Sequence, residues 1–145
     1  MLKRKKVFAM LCCALFLFVT AGISLAAEKV PPGFVAVSDK KMKYPDAEAF
    51  CKQKGGKLLR INKSDSWDGK KQKEASVDGF ARIPNGVATG IAWPAGINGD
   101  EAYWTATRDA GNPDFIWYVK KRSTDGEVNF DKVIHRTQLF VICVP

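Results

Sequence analysis

Four cysteines, one histidine and scattered carboxylates are the residues of this chain that could take part in catalysis. Because His135 is the only histidine, the chain cannot build a multi-histidine metal site or a cysteine–histidine pair separate from a disulfide. The carboxylates of Asp100, Glu101, Asp109 and Asp114 could pair for acid–base chemistry, but they lie in polar loops, where solvated acids are common. The sequence therefore predicts a protein with no catalytic residues, no metal site and no cofactor.

The cysteines divide between two parts of the chain. Cys12 and Cys13 fall in an amino-terminal targeting segment, which leaves Cys51 and Cys143. An exported chain can oxidise that pair, and the bridge would join the first helix to the last strand. Closing a loop of about 90 residues would stabilise the fold by about 4–5 kcal/mol in the chain-entropy treatment. Two free thiols are the alternative, and they would favour an enzyme.

Residues 1–27 have the pattern of a signal peptide. A basic stretch, Lys3–Lys6, precedes the apolar run Val7–Ile23, and small residues then allow cleavage after Ala26 or Ala27. An uncleaved membrane anchor is the alternative, because about 17 apolar residues reach the lower limit for a spanning helix. The sequence predicts export, to the periplasm or the cell exterior, with membrane contact only through this segment if it is uncleaved.

Residues 28–145 are predicted to form one domain of ordinary size. Four of the 23 basic residues belong to the signal peptide, so 19 remain against 15 acidic residues and the net charge is about +4. This mild basicity suits an acidic polysaccharide or an anionic surface, and it is not typical of nucleic-acid binding. Solubility alone explains the charge equally well.

Two helices are predicted from capping residues and apolar spacing. The first begins after Asp46, a good N-cap, and ends at Gly55-Gly56, where a left-handed residue is permitted. The second, over Lys70–Phe80, has few apolar side chains and would be mostly solvated.

Short apolar runs rich in aromatic and β-branched residues predict strands. Phe34–Val37 is the first such run, and several more follow from Tyr103 to the end of the sequence. Asp125-Gly126 separates two of them and predicts a hairpin, because glycine tolerates the positive φ of a tight turn. Trp104 and Trp117 lie inside these runs and are predicted to belong to the core.

Several of these segments resemble a C-type-lectin-like domain. Asp46–Ile61 is similar to its opening, in which a helix carries the first cysteine and a Gly-Gly-x-Leu segment follows. The second half of the sequence resembles the bacterial branch of this family in four segments: Tyr103–Thr107, Trp117–Val119, Gly126–Val128 and Val141–Val144. That branch includes the Lcl C-terminal-type domains and is related in fold to the formylglycine-generating enzymes. The resemblance implies an α+β fold with two short helices, a small twisted antiparallel sheet, termini close together and a long loop region.

The calcium motif of sugar-binding C-type lectins is not present in this sequence. Ile83–Asn85 lacks the first carboxylate or amide of the usual triplet, and Val128–Asp131 replaces a Trp-Asn-Asp motif. Calcium requires several oxygen ligands, with carboxylates dominant. The side chains that could supply some of them are Asn85, Asn98, Asp100 and Glu101. The sequence therefore predicts recognition of a glycan or protein surface without the usual calcium motif, and calcium-dependent sugar binding is the alternative.

A ligand-binding surface is predicted in the loop region Ser64–Glu101. An exposed indole stacks on a sugar ring or anchors a protein partner, and lysine clusters attract sulfated glycans. The candidate ligand-binding residues are Trp67, Trp93, Lys70, Lys71, Lys73, Asn98 and Asp100. Lys120–Arg122 is a second basic cluster. Two alternatives stay open, namely that each loop tryptophan packs on the core beneath it and that the lysines are simply solvated.

The predicted function is that of an exported, non-catalytic binding module. Its partner would be a glycan, sulfated or not, or a protein on the envelope or on a host surface, and not nucleic acid. The rival interpretation is an accessory or structural subunit that docks on another envelope protein through the same loops. A catalyst similar to the formylglycine-generating enzymes would need free thiols.

Overall fold

The computed structural model describes residues 30–71, 74–83 and 90–145. The predicted signal peptide, residues 1–27, lies outside this part of the chain. The elements, in order, are β1 (Ala36–Val37), α1 (Tyr44–Gln53), β2 (Lys57–Leu58), β3 (Ile61–Lys63), β4 (Ala75–Val77), β5 (Ala102–Arg108), β6 (Phe115–Lys121), β7 (Val128–Ile134) and β8 (Ile142–Val144). Within these ranges, no helix has the length and apolar character needed to cross a bilayer.

The predicted α+β class with two helices is wrong, because the described chain is mostly β-sheet with a single helix. Three small antiparallel sheets have the orders β1-β8-β2, β3-β4 and β5-β6-β7. The segment Lys70–Phe80, predicted as a helix, contains β4 instead. Ala75 and Val77 are buried while Ser76 between them is less so, which is the two-residue period of a strand. Val77 pairs with Ile61 of β3, and this packing decides the conformation.

Helix α1 begins at Tyr44, three residues before the predicted start at Ala47. Lys43 occupies the N-cap without a side-chain hydrogen bond, and Pro45 in the first turn gives up an N–H that would have no partner there. Asp46 lies inside the first turn, where its negative charge stabilises the amino-terminal end of the helix by interacting with the helix dipole. The predicted end is confirmed, because Gly55 follows the C-cap with a φ of +80°.

The predicted bridge is confirmed: Cys51 of α1 and Cys143 of β8 form a disulfide, with their Cα atoms 5.3 Å apart. Both cysteines are completely buried. Strand β8 is the middle strand of its sheet, with Cys143 opposite Ala36 of β1 on one side and Leu58 of β2 on the other. The bridge therefore fixes the helix to the centre of this sheet, in which the first strand lies beside the last.

The sheet β5-β6-β7 separates two groups of buried side chains. Trp104 packs with Ile116 on the side of α1, and its ring meets Tyr44 edge-on at 5.6 Å between centroids. Trp117 and Val119 belong to the group on the other side. Both tryptophans are at most 5% exposed, so their prediction as core residues is confirmed.

The predicted hairpin at Asp125-Gly126 is confirmed. It joins β6 to β7, which pair without interruption from Phe115 opposite Ile134 to Lys121 opposite Val128. Gly126 has a φ of +74°, a backbone conformation that glycine adopts without the steric cost of a Cβ atom.

Candidate functional site

Trp67, a predicted ligand contact, belongs to the core. Its side chain is 5% exposed and packs against Trp117 and Phe130, with ring centroids 4.9 Å and 5.0 Å away. Its Nε1–H donates to the carbonyl oxygen of Lys71 at 3.0 Å. The indole face is therefore not available for stacking on a sugar.

Trp93, the second loop tryptophan, is partly buried. Its ring lies between Phe80 and Tyr103, at centroid distances of 5.6 Å and 5.8 Å. Its Nε1–H donates to the carbonyl oxygen of Ile97 at 3.0 Å. Since neighbouring rings and this hydrogen bond hold the indole, Trp93 covers the core beneath its own loop.

The predicted lysine cluster after Trp67 is exposed but close to acidic groups. Lys71 pairs with Glu74 at 3.7 Å between Nζ and Oε1. The backbone N–H of Lys70 donates to the carboxylate of Asp68, and this hydrogen bond lowers the pKa of that carboxyl below its ordinary value. Lys73 lies outside the described residues. The positive charge in this loop is thus partly balanced locally.

Asn98 and Asp100 lie in one turn but line two different clefts. Asn98 Oδ1 accepts a hydrogen bond from the backbone N–H of Asp100 at 3.0 Å. Asn98 lines a cleft of about 360 Å³ beside Phe140, whereas Asp100 lines one of about 560 Å³ beside Lys120 and Lys121. The structure therefore brings neither residue together with Trp67 or Lys70.

One residue of the second predicted basic cluster, Arg122, is paired within its own hairpin, whereas Lys120 and Lys121 are exposed. The guanidinium of Arg122 bonds to the carboxylates of Asp125 at 2.6 Å and Glu127 at 2.7 Å. The hydrogen bond with Asp125 raises the pKa of Arg122 and lowers that of Asp125. Arg122 therefore stabilises the β6–β7 turn, and its positive charge is balanced by Asp125 and Glu127.

The unbalanced positive charge lies around helix α1. Residues 40–60 contain seven basic and two acidic residues, whereas residues 61–145 contain eleven of each. One of the seven, Lys41, pairs with Glu101 at 3.3 Å. The other six are exposed and form no ion pair within the described ranges: Lys40, Lys43, Lys52, Lys54, Lys57 and Arg60. We call these six residues the α1 surface.

A groove of about 480 Å³ runs along one side of α1, between the helix and the chain that follows it. The turn after Gly55 brings β2 back beside the helix. In the segment 57–61, Leu58, Leu59 and Ile61 are buried and Lys57 and Arg60 are exposed. The groove is lined by three members of the α1 surface and by Glu48, Asn62 and Asp78. We call it the helix groove.

Tyr44 borders the acidic residue of this groove. Its hydroxyl donates to Glu48 Oε1 at 2.8 Å, and the guanidinium of Arg108 lies 5.1 Å from its ring centroid. Burial, and then the hydrogen bond and negative charge of Glu48, raise the pKa of Tyr44 from 10.0 to about 12, against an opposing effect of Arg108 and Arg60. At neutral pH the Tyr44 hydroxyl is therefore protonated, and its hydrogen bond to Glu48 Oε1 is retained.

This shift predicts a loss of stability in alkali. The folded chain holds the Tyr44 proton more tightly than the unfolded chain, so its contribution is complete below pH 10 and disappears as the pH rises through about 12. Tyr44→Phe should remove this part of the pH dependence and cost about 1 kcal/mol at neutral pH, the usual value of one hydrogen bond. Urea unfolding at a series of pH values measures both effects, and an unchanged alkaline slope in the variant would contradict the assignment.

No group of three or more His, Cys, Asp or Glu side chains in the described ranges is arranged to hold a metal ion. Of the carboxylates considered above, Glu101 pairs with Lys41 and Asp109 pairs with Lys132 at 3.1 Å. Both cysteines are held in the bridge. Glu101 and Asp109 therefore pair with two different lysines and not with each other.

No family model, curated protein or solved structure matches this chain. The resemblance to C-type-lectin-like domains stays a prediction, which these comparisons neither support nor oppose.

The α1 surface was not predicted, although its signal is present in the sequence. In the net charge of the whole domain, seven basic residues in or near one helix are diluted by the rest. Counting by segment separates a strongly basic stretch, residues 40–60, from a neutral remainder, residues 61–145. The structure adds that the excess lies beside one exposed helix.

Proposed function

We propose that this protein is an exported, non-catalytic binding module that binds acidic glycans through the α1 surface. The bridge between Cys51 and Cys143 supports an oxidising compartment, the periplasm or the cell exterior. It also occupies the only two thiols outside the first 27 residues, which supports a role without a cysteine nucleophile.

The observation that carries the proposal is the location of the charge excess. Six exposed cations that form no ion pair within the described ranges lie in or near one ten-residue helix, and residues 61–145 have no net charge. An extended polyanion would therefore be attracted to the surroundings of α1. Because the lysines are exposed, dissolved salt should weaken the attraction strongly.

The rival function, a subunit docking on another envelope protein, has less support. Such docking generally uses a contiguous apolar patch. Among the described residues, Ile134 is the one exposed large hydrophobic side chain, at 37% exposure. A single isoleucine is normal for a protein surface.

The test is binding of the chain from residue 28 onward to immobilised dextran sulfate at low and at physiological salt. The triple variant Lys43→Gln, Lys54→Gln, Lys57→Gln should lose about tenfold or more in affinity, since it removes three of the six cations of the α1 surface. The matched control Lys70→Gln, Lys120→Gln, Lys121→Gln makes the same change in net charge elsewhere and should lose much less. Equal losses in the two variants, or no binding by the unaltered protein, would refute the proposal.

A further inference from the structure

We propose that the helix groove holds one acidic sugar unit of the bound glycan, with the anionic group on Lys52, Lys57 and Arg60 and the ring hydroxyls on Asn62 and Asp78. This inference rests on the proposed function. It adds that the surface distinguishes a sugar from other polyanions, because the groove offers hydrogen-bond partners as well as charge.

The cations of the groove come from two elements and line one space. Lys52 lies in the last turn of α1, and Lys57 and Arg60 follow the turn that returns the chain beside the helix. None of the three forms an ion pair within the described ranges. The guanidinium of Arg60 offers a planar pair of donors that fits a carboxylate or a sulfate in a two-point contact.

The polar side of the groove suits hydroxyl groups. Asn62 Nδ2 donates to Asp78 Oδ1 at 2.9 Å, which orients both side chains. The backbone N–H of Asp78 donates to the carbonyl oxygen of Arg60 at 3.1 Å, so this pair is held directly beside the cation. Within the described ranges, Asn62 Oδ1 and Asp78 Oδ2 have no donor, and each can accept a hydrogen bond from a sugar hydroxyl.

The remaining wall has no polar side chain. It is formed by Gly56, Leu58 and Ala106, on which the C–H face of a sugar ring can rest. The volume of about 480 Å³ lies in the range of small-molecule sites, roughly 300–1,000 Å³. Three cations against the carboxylates of Glu48 and Asp78 leave one net positive charge, which matches a unit with a single acidic group.

The experiment compares three polyanions: hyaluronan, with carboxylates and no sulfate; dextran sulfate, with sulfates and no carboxylate; and polyphosphate, which has no sugar. Asn62→Ala should weaken binding of the favoured sugar polymer about five- to tenfold and leave polyphosphate binding unchanged, since it removes hydrogen bonds and no charge. Arg60→Lys keeps the charge but loses the paired donors, so it should also weaken binding of the favoured sugar polymer. Polyphosphate is the comparison for Asn62→Ala alone, because a phosphate fits the guanidinium as well as a carboxylate or a sulfate does.

The control is Lys43→Gln, at the N-cap of α1 and outside the lining of the helix groove, which should weaken all three probes alike. Loss of hyaluronan binding in Asn62→Ala identifies a uronate ligand, and loss of dextran sulfate binding identifies a sulfated one; either supports the groove. If neither Asn62→Ala nor Arg60→Lys weakens sugar binding, or if Asn62→Ala weakens polyphosphate binding as much as sugar binding, the groove assignment is wrong while the α1 surface stands. If the unaltered protein binds no sugar polymer, both proposals fail.

Discussion

Replacing Cys51 and Cys143 together by alanine is expected to lower the free energy of unfolding by about 4–5 kcal/mol. The two residues are 92 positions apart, and a cross-link over a loop of about that length removes this much conformational entropy from the unfolded chain. The value is a large share of the stability of a small domain, about 5–15 kcal/mol. Because both positions are fully buried, the double variant also avoids leaving a single thiol without its partner in the core.

Urea denaturation of the oxidised protein and of the double variant gives the difference directly. The intact mass of the unreduced protein, two hydrogens below that of the reduced protein, establishes that the bridge is formed within one chain. A loss below about 1 kcal/mol would mean that the unfolded chain is already compact, which contradicts the entropic explanation.

The second large effect is expected at Trp104. Trp104→Ala should cost about 3–5 kcal/mol, the usual range for removing a buried tryptophan. The side chain is fully buried and packs edge-on against Tyr44. Its Nε1–H also donates to the carbonyl oxygen of Met42 at 2.8 Å, which accepts a second hydrogen bond from the backbone N–H of Leu139 at 3.1 Å. Trp104→Phe should therefore refill part of the volume and lose only the indole hydrogen bond.

Trp93→Ala is the matched control for this prediction. The indole is partly buried between Phe80 and Tyr103, so its removal should cost stability, but less than at Trp104. From the sequence, Trp93 was a candidate ligand-binding residue, with packing on the core as the open alternative. The proposed α1 surface predicts unchanged affinity for dextran sulfate in this variant. Equal destabilisation at the two positions, or a selective loss of binding at Trp93, would contradict this assignment.

The second half of the fold was predictable because local signals and burial agree there. The aromatic and β-branched runs around Trp104 and Trp117 favour strands, and Asp125-Gly126 favours a tight turn whatever the surroundings. The bridge was predictable because only two cysteines remain after the first 27 residues.

The predictions that proved wrong concern residues whose conformation depends on distant partners. Three residues of β4 have too weak a pattern to exclude a helix, and their pairing with β3 across a turn-rich loop decides the outcome. Trp67 follows polar residues in the sequence, yet it is buried by Trp117 and Phe130, which lie 50 and 63 positions later. A sequence window cannot show such contacts.

The central position of β8 has a consequence for the order in which the chain folds. Strands β1 and β2 are both hydrogen-bonded to β8 and not to each other, so their sheet cannot form until residues 142–144 have been synthesised. Closing so long a loop is slow, since its entropy is lost before the contacts form. A chain that passes through a membrane channel in extended form would benefit, because this sheet cannot close, and Cys51 cannot find Cys143, until the last strand has emerged on the far side.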